Sequence, residues 1–212
     1  MADLDVVIAG AAVERYAAVP TIGLDLRVTD RSGQGVHAIV LRAQVRIEPQ
    51  RRRYTAAESE RLVELFGQPG QWSESLRPFL WTQVGTVVGA FETTSEVILP
   101  LQCTYDFEVS AARYMHGLDE GDIPLVLLFN GTIFRSGPQG LMVEPIAWHT
   151  EAAYRLPVAV WRALMDSYFP GGGWLRLSRE TIDALGRLKA REALPGWEDV
   201  VELLMKRAGE EP

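Results

Sequence analysis

The stretch that most constrains this chain is residues 121–135, GDIPLVLLFNGTIFR, where every residue from 123 to 129 is apolar. An extended segment of that kind needs cover on both faces. The run is a strand's length, far short of the ~20 apolar residues of a membrane-spanning helix. Val, Ile and Phe are frequent, and Gly121 and Gly137-Pro138 punctuate its ends, so it predicts a central β-strand.

Other strands read outward from it. Residues 4–9 form a first, edge-type strand. Ile22, Leu24, Leu26 and Val28 alternate with polar or small residues, and Ile39, Leu41, Ala43, Val45 and Ile47 do so again after the turn-rich 30–35. Two alternating runs joined by a glycine-containing turn predict an antiparallel hairpin with one wet face. Residues 79–91, 96–101 and 103–109 carry further strand patterns. Residues 141–148 read as the neighbour of the central strand across the turn at 137–140.

Helical signals interrupt and then follow the strands. Pro49 cannot donate to a ladder and ends one. After Arg51-Arg52-Arg53-Tyr54, Thr55 and Glu58 have capping-box spacing, Leu62, Val63, Leu65 and Phe66 form a stripe, and Gly67 is a stop. This predicts one inserted helix near 55–67, then a loop at 68–78 carrying Trp72. Beyond Pro157 the period changes to helical through Trp161, Leu164 and Met165. Residues 170–173 break that helix, Ser178 caps a second, and Pro195-Gly196 precedes a third.

The fold class expected is α+β: an antiparallel, β-sandwich-like core of seven to eight strands, one inserted helix, and a C-terminal cap of about three helices. The expected division is a β core over 1–155 and a helical cap over 156–208 packed on it as one structural unit. The formal charge of −7 argues against nucleic acid as the main partner. With one cysteine, Cys103, no intramolecular disulfide forms, which suits a reducing cytoplasm. Asp3 and Asp5 stand where a secretion signal carries positive charge, so the expected location is cytoplasmic, with no membrane association.

Signals for chemistry are sparse. No phosphate-binding glycine motif and no G-x-S-x-G elbow is present, and Gly171-Gly172-Gly173 reads as a turn. Cys103, His116 and His149 lack metal-ligand spacing, and Cys103 falls on an apolar strand face; no metal or cofactor is expected. Asp106 and Glu108 share a strand face, where acids more often form cross-strand ion pairs than do acid–base work. The basic run Arg51, Arg52, Arg53 with Tyr54 is a candidate partner- or anion-binding patch, solvation being the plainer reading. Trp72 and Trp174, outside regular core positions, are candidate partner anchors. Asp106, Arg113, Tyr114 and His116 are the candidate lining of a pocket between the sheet and the C-terminal helices.

The stretches RIEPQRRRYTAAESERL at 46–62, LPLQCTYDFEV at 99–109 and YRLPVAVWRALMDSYFPGGGWLRL at 154–177 resemble a bacterial, mainly actinobacterial, family catalogued as a domain of unknown function. That family's genes often lie near those for nickel-iron hydrogenases and their maturation factors. The resemblance implies a shared fold and an accessory role, with no catalytic residues to carry over. Three functions are therefore expected to compete. The first is a non-catalytic protein-binding or accessory module serving hydrogenase or other redox-enzyme assembly. The second is a small-ligand protein or enzyme using the pocket, and the third is chaperone-like binding of unfolded chains along sheet edges.

Overall fold

The structure, a computed structural model, describes residues 4–104, 109–137, 140–172 and 175–210. In order the elements are β1 (Leu4–Val13), β2 (Thr21–Asp30), β3 (Val36–Ile47), α1 (Ala56–Arg61), α2 (Val63–Phe66), α3 (Trp72–Ser75), β4 (Phe79–Val88) and β5 (Thr94–Gln102). Then come α4 (Ser110–His116), β6 (Asp122–Gly137), β7 (Gly140–Pro145), β8 (Glu151–Pro157), α5 (Val158–Tyr168), α6 (Arg179–Arg191) and α7 (Trp197–Ala208). The class is α+β, with eight strands among the described residues in two antiparallel sheets packed as a sandwich.

One sheet has the order β1-β2-β5, the other β4-β3-β6 with both β7 and β8 beyond β6. The apolar stretch read from the sequence is the central strand β6. Its first half pairs with β8, from Asp122↔Pro157 to Leu128↔Glu151, and its second with β7, from Thr132↔Pro145 to Gly137↔Gly140. At the changeover Gly131 has φ 143°, and a Cβ there would lie 2.0 Å from the Val40 carbonyl oxygen, so only glycine fits.

The alternation read in β2 and β3 is present, but the two strands do not form the expected hairpin. β2 pairs with β1 and β5, whereas β3 pairs with β4 and β6 in the facing sheet. Alternation fixes which side chains face inward and leaves the partner open. The crossing is held by Arg135 of β6, whose Nη1 donates to Asp30 Oδ2 at 2.6 Å and to the Gln34 carbonyl at 2.8 Å. Arg135 and Asp30 are both buried, so this ion pair joins the sheets inside the core.

Two helical readings are also corrected. The insertion after β3 is α1, α2 and α3 rather than one helix, and Trp72 opens α3 instead of sitting in an irregular loop. The strand expected through 109 stops at Gln102; its positions 105–108 lie outside the described residues, and residues 110–116, rich in good helix formers, are α4. Val158, Trp161, Leu164 and Met165 of α5 are buried.

The chain divides into two compact units, residues 1–173 and 174–212, with α5 in the first. In the second, the Ser178 hydroxyl caps α6 by accepting from Thr181 N–H at 3.1 Å. Lys189 Nζ, near the end of α6, donates to the carbonyls of Leu194 and Pro195, and Gly196 N–H donates to Asp199 Oδ2 at the start of α7. No helix among the described residues is long and apolar enough to cross a membrane.

Candidate functional site

The basic run emerges from the end of β3. Pro49 opens a short 3₁₀ turn over Pro49–Arg51, and the chain then runs extended into the α1 cap at Thr55. Successive side chains of an extended segment point to opposite sides. Arg52 and Tyr54 accordingly turn inward, and Arg51 and Arg53 outward, where they are exposed.

The inward pair is engaged in structure, with only the buried Arg52 Nε lacking a hydrogen-bond partner among the described residues. Arg52 forms an ion pair with Glu58, its side chain 7% exposed and that of Glu58 1%, and its Nη1 donates to the Asp122 carbonyl at 3.0 Å. Glu58 also accepts from Thr55 N–H at 3.0 Å and Asp119 N–H at 2.9 Å, while Thr55 Oγ1 accepts from Glu58 N–H, completing the capping box read from the sequence. One carboxylate thus fastens α1, the basic run and the segment leading into β6.

Tyr54 O–H donates to the Pro49 carbonyl at 2.7 Å. Its single proton being spent there, the 2.9 Å contact with Tyr114 is made by Tyr114 donating to Tyr54. Burial, with Tyr114 adding to it, raises the Tyr54 pKa; burial pushes that of Tyr114 up to about 12. Both phenols are therefore neutral at ordinary pH.

The outward pair borders an open cleft of about 740 Å³, which the inward Arg52 and Tyr54 also line; residues 50–55 and Glu58 wall it on one side and Glu120, Gly121 and Asp122 on the other, with Arg155 of β8 beside them. The volume falls within the roughly 300–1,000 Å³ of ligand clefts. Arg51 Nε pairs with Glu48 at 2.9 Å. Arg53 has no ion pair among the described residues, and Arg155 reaches only the Arg51 carbonyl, at 3.5 Å. Two guanidinium groups and two carboxylates, Glu120 and Asp122, thus line the cleft without ion-pair partners among the described residues.

Other sequence candidates lie elsewhere. Trp72 is no surface anchor: it is buried, its Nε1 donates to the Gly67 carbonyl at 2.8 Å, and it meets Tyr54 edge-on at 5.1 Å. Trp174 and Asp106 lie outside the described residues. Arg113, Tyr114 and His116 sit on α4, where steps of about 100° per residue fan them apart. Arg113 pairs with Glu64 at 2.8 Å, Tyr114 is buried against Tyr54, Phe66 and Phe79, and His116 stacks edge-on against Trp161 at 4.6 Å. Among the described residues, no cavity is lined by all three. Burial, then the charge of Arg162, pushes the His116 pKa down to about 4.

No group of three or more metal-ligating side chains occurs among the described residues. Cys103 borders a separate cavity of about 310 Å³ with Trp81, Met115 and Trp161, and burial pushes its thiol up to about 12, which suppresses the reactive thiolate. Arg155 is not among the sequence candidates because no strand pattern is read over residues 151–157, which form β8. Its signal was the register of a strand against β6, where it pairs with Pro124.

The family of unknown function DUF6084 matches residues 1–212. The chain belongs to that family. No curated protein matches the chain. Among solved structures, a selenomethionine-labelled β-glucosidase from Kluyveromyces marxianus is 8% identical with a TM-score of 0.26, over 73% of this chain and 15% of that one. The chain thus corresponds to a small part of that protein's length, and a likeness this slight carries no argument about either fold or activity.

Proposed function

We propose that this DUF6084 chain is a non-catalytic accessory module that holds a protein partner in the cleft between the 50–55 segment and the start of β6. The observation carrying this reading is the division of the basic run. Arg52 and Tyr54 are locked into a buried network, while Arg53 is left outward beside Arg155 with no ion pair among the described residues. A rigid base under exposed guanidinium groups suits recognition, because the fork of Arg binds carboxylates in two-point geometry. The resemblance to a family encoded near hydrogenase genes makes redox-enzyme assembly in a bacterial cytoplasm the setting of the proposal.

The test is capture from the native lysate with tagged full-length chain, quantified by mass spectrometry. Wild type is compared with Arg53→Glu/Arg155→Glu. A control pair, Leu141→Ser/Val143→Ser, alters the exposed face of β7, where these side chains are 56% and 60% exposed. A partner lost by the cleft variant and kept by the control supports the reading. Equal capture by folded wild type and cleft variant overturns it. Loss in the β7 variant alone would instead favour chain binding at a sheet edge.

A further inference from the structure

We infer that the segment held in the cleft is a mixed-charge extended peptide, with acidic side chains for Arg53 and Arg155 and a basic side chain for Glu120 and Asp122. The inference rests on the cleft being the binding surface and adds the chemistry of what enters it.

The charge count decides the class. Of the cleft's arginines, Arg52 is neutralised by the buried Glu58 and Arg51 by Glu48. That leaves Arg53 and Arg155 on the cationic side and Glu120 and Asp122 on the anionic side. A nucleic-acid strand or polyphosphate is uniformly negative and would meet two carboxylates wherever it met the arginines; like-charge juxtaposition of that kind rejects wrong partners. An all-basic peptide meets the converse obstacle. A segment bearing both signs satisfies both walls.

The geometry favours an extended backbone. Glu120 and Asp122 flank Gly121, which has φ +76°, and the Gly121 carbonyl already accepts from Val158 N–H at 2.8 Å. The Asp122 carbonyl is likewise occupied by Arg52. With these backbone acceptors engaged, recognition falls to side chains on the two walls, and an extended peptide presents alternate side chains to opposite sides. The base cannot readily rearrange, because Glu58 holds the basic run, α1 and the residue 119 backbone together. Preorganisation of this kind reduces the ordering cost of binding.

The experiment uses the full chain and fluorescein-labelled probes of about eight units, a length of ~26 Å when extended. The probes are a peptide alternating Glu and Lys, oligoglutamate, oligolysine and oligothymidylate, with binding read by fluorescence polarisation. The alternating peptide is expected to bind about tenfold or more tightly than the other three. Its binding should weaken several-fold between about 0.05 M and about 0.3 M salt as the Debye length shrinks. Arg53→Glu/Arg155→Glu should lose at least about tenfold. Adding Glu120→Lys/Asp122→Lys, which exchanges the two walls, should restore binding of the alternating peptide.

Circular dichroism confirms folding of each variant. Tighter binding of oligoglutamate or oligothymidylate overturns the mixed-charge assignment in favour of a plain anion site. Binding of the alternating peptide that is indifferent to the arginine reversals overturns the location. If no probe binds while the reversals still abolish partner capture, the peptide class falls and the cleft remains the partner surface. If capture also survives the reversals, both fall.

Discussion

Replacing Arg135 by Met tests the link between the two sheets. Arg135 and Asp30 have side-chain exposures of 1% and 0%, with contacts of 2.6 and 3.1 Å. Without the guanidinium, Asp30 keeps, among the described residues, the Ser32 hydroxyl at 2.7 Å and Ser32 N–H at 3.4 Å. Breaking one side of a buried pair costs about 3–5 kcal/mol, because the other charge stays buried. That is a large fraction of the roughly 5–15 kcal/mol holding a domain together, and corresponds to a fall in Tm on the order of 10 °C. Urea unfolding at neutral pH, followed by tryptophan fluorescence and circular dichroism, measures it. Asp30→Leu/Arg135→Met removes both charges and should cost markedly less than the two single changes summed. Burial alone would raise the Asp30 pKa, but hydrogen bonds from Arg135 and Ser32, with the guanidinium charge, hold it below its ordinary 3.8. Since the folded value is the lower one, this contribution is complete above the unfolded pKa. It is lost as pH falls through the folded value. Wild type should therefore lose stability more steeply below about pH 4 than the double variant. A cost under about 1 kcal/mol for Arg135→Met, or strict additivity, would refute the reasoning.

Three further outcomes follow from particular contacts. Gly131→Ala places a Cβ 2.0 Å from a backbone oxygen at φ +143° and should destabilise by at least about 1–3 kcal/mol; a Tm within a degree or so of wild type would contradict the strand changeover. His116, with its pKa lowered to about 4 from 6.5, should titrate by NMR near that lower value. Its contribution is present above pH 6.5 and lost as pH falls toward 4, so His116→Gln should flatten stability over that window, and a titration midpoint above about 6 would refute the burial argument. Cys103, pushed from 9.0 to about 12, should have about a thousandfold smaller thiolate fraction than an ordinary thiol. It should react with a disulfide reagent at pH ~8 on unfolding, whereas rapid labelling of the native chain would contradict the raised pKa.

How far the sequence reached depends on how local each determinant is. The inward residues of β2 and β3 were legible because alternation is local, but their separation into facing sheets was not. It is held by Arg135, which lies 105 positions from Asp30. The capping box at Thr55 and Glu58 was legible for the same local reason, and so was the stop at Gly67. Helix α4 was masked by the apolar alternation around Cys103. Trp72 resembled a surface anchor because nothing nearby in the sequence shows that Tyr54 and Phe66 would enclose it.

The basic run shows where function and structure separate within one motif. As a composition, Arg51–Tyr54 is a charged patch; as an extended segment it is two sets of side chains with period two. The inner set supports the helix insertion through Glu58 and Tyr114, so substitutions there are expected to act on stability. The outer set includes Arg53, which has no ion pair among the described residues, so substitution there is expected to act on binding. An Arg52→Ala variant strands Glu58 inside the protein, and its loss of partner capture would say nothing about recognition. Arg53→Ala disturbs no described ion pair, so the comparison of these neighbours distinguishes a collapsed cleft from an intact one that has lost its contact.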